Sequence, residues 1–216
     1  MPLDEPVNEP CAYRRLPGQD LRRPAGRAKT LDEMGRSLNP LDPLIAWRRK
    51  EPRASRLYGA IVAQARLPAL YRHFGLPDTL EGRFAALSLH LFAVLDRLKA
   101  EGADARSLAQ AMSDRFSEDM ETVLRELGVS DLRIPKKMRG LAASSAFLLQ
   151  TYEDAFAAGE GAFAAAIARS LPLEGNTAND VAARLTAYLS EVGCRLRSQS
   201  IEAIEAGRVE FPEVRG

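Results

Sequence analysis

Apolar residues recur every three or four positions along most of this chain, and that spacing restricts the fold more than any other feature. Such spacing places the apolar side chains on one side of an α-helix. From Ser55 onward no run shows the alternating, β-branched pattern of a strand. We therefore predict an all-α fold, a compact bundle of six or seven helices. The clearest stripe consists of Leu108, Met112, Phe116, Met120, Val123, Leu124 and Leu127.

Prolines and glycines mark the ends of these helices, because proline favours the first turn and glycine the C-terminal stop. The helix that follows Asp78 is apolar on most sides, which is typical of a central helix. The small residues 142–146 make a later helix thin, so we expect a neighbour to approach it closely. The predicted helices are Arg56–Arg66, Ala69–Phe74, one from after Asp78 to about Glu101, Ala105–Leu127, one opened by Pro135, Gly161–Ser170 and Thr177–Ala206.

Residues 1–54 differ in composition from the rest of the chain. They hold 8 of the 13 prolines and few large apolar residues with any period. Proline fixes φ and removes an amide donor, so long helices are excluded there, and such a composition is typical of disorder. We predict a disordered, Pro-rich N-terminal tail over residues 1–54 and one all-helical domain over residues 55–216. A start codon placed too far upstream would give the same pattern.

The formal net charge of the whole chain is only +1, so its overall field does not favour polyanions, and we expect no specific DNA binding. No apolar run approaches the ~18 residues needed to cross a bilayer. The two cysteines form no CxxC motif, which fits a reducing compartment. Early acidic residues and the lack of an apolar signal region lead us to expect a bacterial, cytoplasmic protein. Any contact with the inner membrane is expected to be peripheral.

Residues able to carry catalysis or hold a metal ion are sparse. The only histidines, His73 and His90, are 17 positions apart, and no HExxH motif occurs. There is no GxSxG, GxGxxG or P-loop motif either. We therefore expect no catalytic residues, no metal and no cofactor, and we do not expect an enzyme.

The segment around Leu76, Pro77 and Asp78 is explained first by folding. Asp78 is expected to cap the next helix, a contribution of about 1 kcal/mol. Arg83 is expected to pair with Asp78 or Glu81 across the first turn. The alternative is that these residues edge a binding site.

An acidic patch, Glu118, Asp119 and Glu121, lies on the helix that ends near Leu127. Asp119 is four positions after Arg115, and Arg125 is four positions after Glu121, so both are potential ion pairs. Each such pair contributes only ~0.2–0.5 kcal/mol at a helix surface. The patch is either a solvated helix face or part of a site.

Lys136 and Lys137 stand in the first turn of a helix, where the helix dipole disfavours cations by ~0.3–1 kcal/mol each. Folding therefore does not require them. They form either a solvated basic turn or a docking point for an acidic partner, RNA or lipid headgroups.

Three blocks occur in a recognisable order. YGAIVAQARLPALYRHFGLPDTLEGRF begins at Tyr58, HLFAVLDRL at His90 and FSEDMETVLRELGVSDLRIPKKM at Phe116. Together they resemble the ubiquinol–cytochrome c chaperone family, the assembly factors for cytochrome b of respiratory complex III. The resemblance implies a non-catalytic chaperone whose client is nascent or unassembled cytochrome b. The ribosome and a small helper protein are further partners that it implies.

A chaperone of this kind needs an exposed apolar groove with polar edges. We expect the groove where the helices bearing His90, Met120 and Lys136 come together. His90 is then either a polar spot in the groove, since it falls in the second block, or a core histidine with a hydrogen bond. The other residues expected to bind the client or a partner are Leu76, Pro77, Asp78, Arg83, Asp119, Arg125, Gly128 and Lys137.

Two other functions stay open. An amphipathic helix with a basic edge could lie on a membrane as an interaction module without a chaperone role. A small apolar molecule such as a quinone could bind in the helical core.

Overall fold

The computed structural model describes residues 52–99, 101 and 103–214. This part of the chain is helical without strands, as predicted, with seven helices of seven residues or more and one single-turn helix. The helices are α1 (Pro52–Ala65), α2 (Pro68–Phe74), α3 (Leu80–Lys99), α4 (Ala103–Glu126), α5 (Ile134–Ala158), α6 (Glu160–Ser170), α7 (Gly175–Ser198) and α8 (Ile201–Glu205).

The first helix begins earlier than the predicted domain boundary. It starts at Pro52, and Ala54 is already buried in the core. The rest of the predicted tail, residues 1–51, lies outside the described residues. Proline fits this start because its missing N–H would be unpaired in the first turn in any case.

Helix α3 is the central element, as its sequence predicts. Buried side chains lie on all of its sides over the stretch from Ala85 to Val94. The helices α1, α4, α5 and α7 all pack around it. An apolar surface in every direction requires a neighbour in every direction, so the other helices are arranged around this one.

A cluster of aromatic rings joins α3, α5 and α6. Phe92 lies 5.8 Å from Tyr152 and 5.5 Å from Phe163, measured between ring centroids. Phe156 lies 5.4 Å from Phe163 with the rings nearly perpendicular. The edge-to-face pairs Phe92–Tyr152 and Phe156–Phe163 add about 0.5–1.5 kcal/mol each beyond the area that they bury. The cluster fixes the C-terminal half of α5 against the core.

The predicted final helix Thr177–Ala206 is in fact two helices. Helix α7 ends at Ser198, Gln199 is extended, and α8 starts after Ser200. Ser200 ends the continuity because its hydroxyl accepts a hydrogen bond from the Ala203 amide at 3.2 Å, which is the geometry of an N-cap. The chain then folds back so that Phe211 covers the core next to His90.

Within the described ranges, every helix is too short or too polar to span a bilayer.

Candidate functional site

The turn between α2 and α3 holds three of the predicted site residues, Leu76, Pro77 and Asp78, and Arg83 follows in the first turn of α3. Folding explains most of them. Thr79, not Asp78, caps α3: its Oγ1 accepts a hydrogen bond from the Gly82 amide at 3.2 Å. Asp78 instead accepts from Arg83 Nε at 2.6 Å, and this hydrogen bond lowers the pKa of the Asp78 carboxyl. The expected cap was therefore one residue too early, whereas the expected ion pair is present.

Leu76 and Pro77 also serve the turn. Leu76 is buried. A Cβ at Gly82 would overlap the carbonyl oxygen of Pro77, so only glycine fits against that backbone. The wall of an open cleft of about 570 Å³ nevertheless includes Leu76, Asp78 and Arg83. Its other lining residues are Arg66, Pro68, Tyr71 and Arg72.

His90 is a core residue and does not line a groove, which corrects one of the two alternatives. Its side chain is 2 % exposed, and burial lowers its pKa to about 4. Nδ1 donates to the Ala86 carbonyl at 2.7 Å, so Nε2 is the acceptor for the Tyr188 hydroxyl at 3.0 Å. Tyr188 in turn accepts from Gln64 Nε2 at 2.8 Å. This chain of hydrogen bonds joins α1, α7 and α3. Burial, and not the hydrogen bond to Ala86, keeps the imidazole neutral.

Asp119 joins α4 to α1 and also lines a small open cleft between these two helices. Its Oδ2 accepts from the Tyr58 hydroxyl at 2.9 Å, and Tyr58 is buried. Burial first, and then this hydrogen bond, raise the pKa of Tyr58. The predicted pairing of Arg115 with Asp119 is wrong, since Arg115 pairs with Glu118 at 2.9 Å. Neighbouring Met120 is partly buried against the core.

The remaining predicted residues lie at the turn that joins α4 to α5. Gly128 has φ +77° and ends α4, as predicted. Arg125 pairs with Glu121 at 2.7 Å, also as predicted. Lys136 and Lys137 are exposed in the first turn of α5.

The predicted site residues therefore do not form one groove. They are spread over the α2–α3 turn, the core, the α1–α4 contact and the α4–α5 turn. The physical reason is that His90 lies on the most buried helix, so no surface passes through it. Among the residues that the structure describes, His90, Met120 and Lys136 therefore do not line a common groove.

An open apolar groove exists elsewhere, between the start of α3, the first half of α5 and the end of α6. Its volume is about 520 Å³. Phe147 is its most exposed large side chain, at 75 %. The residues that line it are Phe84, Ala85, Leu141, Ala143, Ser144, Phe147, Leu148 and Ser170.

One sequence feature indicated this groove, but we interpreted it as a packing surface. The small residues 142–146 were expected to receive a packed neighbour, but four of the five are exposed. Helix α5 packs through Tyr152 and Ala155 in its second half, whereas Ala142, Ala143, Ser144, Ala146 and Phe147 stay exposed. The signal for the groove was that α5 has more apolar surface than the rest of the fold covers.

One of the two serines that line the groove, Ser170, has its hydroxyl bonded within the protein. Ser170 Oγ donates to the Ile167 carbonyl at 2.7 Å and accepts from the Tyr152 hydroxyl at 2.6 Å. An apolar segment can therefore enter without leaving that hydroxyl unpaired. No group of three potential metal ligands occurs within the ranges that the structure describes. Fold and groove together are typical of an all-helical binding protein.

The chain belongs to the ubiquinol-cytochrome C chaperone family, whose model matches residues 72–211. A curated relative, the ubiquinol-cytochrome-c reductase complex assembly factor 1 of Xenopus laevis, is 25 % identical over 118 residues. That match covers 55 % of this chain and 59 % of the frog protein, so the chain spans little more than half of its length. Among solved structures, the Cbp3 homolog from Brucella abortus is similar with a TM-score of 0.67. It is 37 % identical, and the match covers 80 % of this chain and 97 % of that one.

Proposed function

We propose that this protein is a non-catalytic assembly chaperone for ubiquinol–cytochrome c reductase, complex III, and that its client is newly made cytochrome b. Family membership supports the chaperone role. The frog relative is named as an assembly factor for the same complex. The structural observation that carries the proposal is the open apolar groove beside Phe147.

Phe147 is not part of the core and is 75 % exposed. Burying a phenylalanine side chain is worth about 1.5–3 kcal/mol. A client that covers it regains this free energy, which corresponds to about 10–150-fold in affinity. We therefore assign Phe147 the role of anchor in the groove.

The small residues of the groove suit a transmembrane helix as client. Ala143 and Ser144 present almost no side chain, so the backbone of a second helix can approach α5 closely. Close approach through small residues is how membrane helices pack against each other. The groove is shallow and open, so a bound helix can also leave it when the complex assembles.

The proposal is tested by exchanging Phe147 for glutamine in the native gene. Glutamine is a good helix former, so Phe147→Gln removes the apolar anchor without weakening the helix. The matched control is Ala146→Gln, because Ala146 is also exposed on α5 but does not line the groove. Cytochrome b level and complex III activity should fall in the first strain only, with the cytochrome b transcript unchanged in both.

If both chaperone variants were present at wild-type amounts and cytochrome b levels were equal in the two strains, the assignment of the groove would be contradicted. Full complex III activity in a strain lacking the gene would contradict the function itself.

A further inference from the structure

The turn between α4 and α5 exposes two leucines that the fold does not use. Leu132 is 95 % exposed and Leu127 is 59 % exposed. Residues 125–139, which we call the hairpin tip, hold these leucines and lie outside the groove of the proposed function. An exposed leucine is ordinary on its own, but two of them within one tight turn form an apolar point.

Hydrogen bonds fix the backbone of the hairpin tip, so the two leucines are held in defined positions at the surface. The Gly128 amide donates to the Arg125 carbonyl at 2.9 Å, and the Val129 amide donates to the Leu124 carbonyl at 3.0 Å. These are the two bonds of a Schellman motif, which closes a helix around a glycine with positive φ. Buried Ile134 then anchors the start of α5.

Exposed basic residues flank the two leucines in the sequence. The hairpin tip holds five basic and two acidic residues, a net charge of +3, although the whole chain carries only +1. Arg125 pairs with Glu121 and Asp131. The four remaining cations are exposed and form no ion pair with any described residue. These four are Arg133, Lys136, Lys137 and Arg139.

We infer that the hairpin tip is a docking site for the surface of an anionic phospholipid bilayer. Leu127 and Leu132 enter the boundary between headgroups and acyl chains, and the cations lie at the level of the phosphates. This combination of an apolar point and a basic collar matches both layers of such a surface. Neither part is explained by stability, because the leucines are uncovered and Lys136 and Lys137 oppose the α5 dipole.

Other occupants match the hairpin tip less well. RNA would take the cations but would gain little from the two leucines. A second copy of the chain would cover the leucines but would bring two tips of charge +3 together, which repel. The anionic bilayer is the occupant that uses both features.

The position of the hairpin tip also bears on the groove, a point that rests on the proposed function. Lys137 and Leu141 are one turn apart on α5, so the groove begins next to the basic collar. A protein docked by its tip would hold the groove near the bilayer, where a membrane client is inserted.

The docking site is tested by measuring binding to vesicles in the absence of any client. A negative result there would contradict the docking site and would leave the proposed function untouched. The full chain is mixed with vesicles of phosphatidylcholine, either pure or with about one third phosphatidylglycerol, and bound protein is measured by flotation. Binding should require phosphatidylglycerol and weaken with salt. Loss of Lys136 and Lys137 as the double variant K136Q/K137Q should weaken it about 25-fold, since each cation near such a surface is worth about fivefold.

Matched variants separate insertion from general charge. L132Q should weaken binding at least tenfold, whereas the control L80Q, at a leucine 53 % exposed outside the tip, should not. The pair R106Q/R169Q removes the same charge as the lysine pair from exposed sites outside the tip and should leave binding nearly unchanged. As a direct readout, L132W in a W47F background should shift its emission to the blue on vesicles.

Three results would overturn the inference. The first is no binding to either vesicle. The second is binding that L132Q leaves intact, above all if structured RNA binds with the same dependence on the lysines. The third is a dimer in lipid-free solution that L132Q dissociates, which would assign the leucines to a second copy.

Discussion

Protonation of His90 should destabilise this protein in mild acid. Burial lowers the pKa of the His90 imidazole from the ordinary 6.5 to about 4. The unfolded chain therefore binds the proton more tightly than the folded one. The stability linked to His90 is fully present above about pH 6.5, falls as the pH drops below 6.5 and is gone by about pH 4.

The magnitude follows from the two pKa values. With 6.5 in the unfolded chain and about 4 in the folded protein, lowering the pH from 8 to 5 removes about 2 kcal/mol of unfolding free energy. Below pH 4 the loss approaches about 3.4 kcal/mol. A cation at this position would also lose the acceptor that Nε2 offers to the Tyr188 hydroxyl.

The assay is urea unfolding at pH 8 and pH 5 for the wild type and for His90→Gln. Glutamine stays neutral, so the variant should lose about 2 kcal/mol less than the wild type between the two values. Other titrating groups affect both proteins alike and cancel in this difference. The control His73→Gln, at an exposed histidine, should keep the wild-type dependence. An equal loss in the wild type and His90→Gln would refute the burial argument.

Three further changes have defined outcomes in thermal unfolding. Gly82→Ala should destabilise the protein by about 2–3 kcal/mol because the added Cβ would overlap the Pro77 carbonyl. Gly140→Ala, at a helical glycine with open space around it, should stabilise the protein by about 0.5–1 kcal/mol. Equal effects of the two changes would refute the steric argument. Changing Lys136 and Lys137 to Glu should leave the midpoint equal or slightly higher, since the dipole term reverses; a loss of about 2 kcal/mol or more would make them structural. Deleting residues 1–51 should move the midpoint by less than about 5 °C; a larger fall would show that they pack on the domain.

Helix positions could be predicted because their signals are local. Gly128 ends α4 and the apolar surface of α3 makes it central, and both follow from residues a few positions apart. The break at Ser200 was missed because an apolar period that continues through a short cap looks like one helix. The predicted N-cap, Asp78, was one residue before the actual cap, Thr79. Asp and Thr both favour the N-cap position, so the sequence alone does not distinguish two such neighbours.

The candidate site could not be predicted in the same way, because exposure depends on which helices pack together. Apolar residues recur along α5 from Met138 to Phe156, and only the packing shows that Tyr152 is buried while Phe147 is not. His90 had a core alternative and a groove alternative, and the position of α3 decided for the core. The family resemblance was correct because it rests on the order of blocks and not on any one side chain.

Photo-crosslinking from the groove tests the central claim most directly. A photoreactive amino acid replaces Ala143, which lines the groove, or Ala157, which is exposed on the same helix beyond it. After irradiation of living cells, the Ala143 probe should capture cytochrome b, and Phe147→Gln in the same chain should abolish the product. The Ala157 probe should give none. Capture of cytochrome b from Ala157 but not from Ala143, or from neither position, would contradict the account.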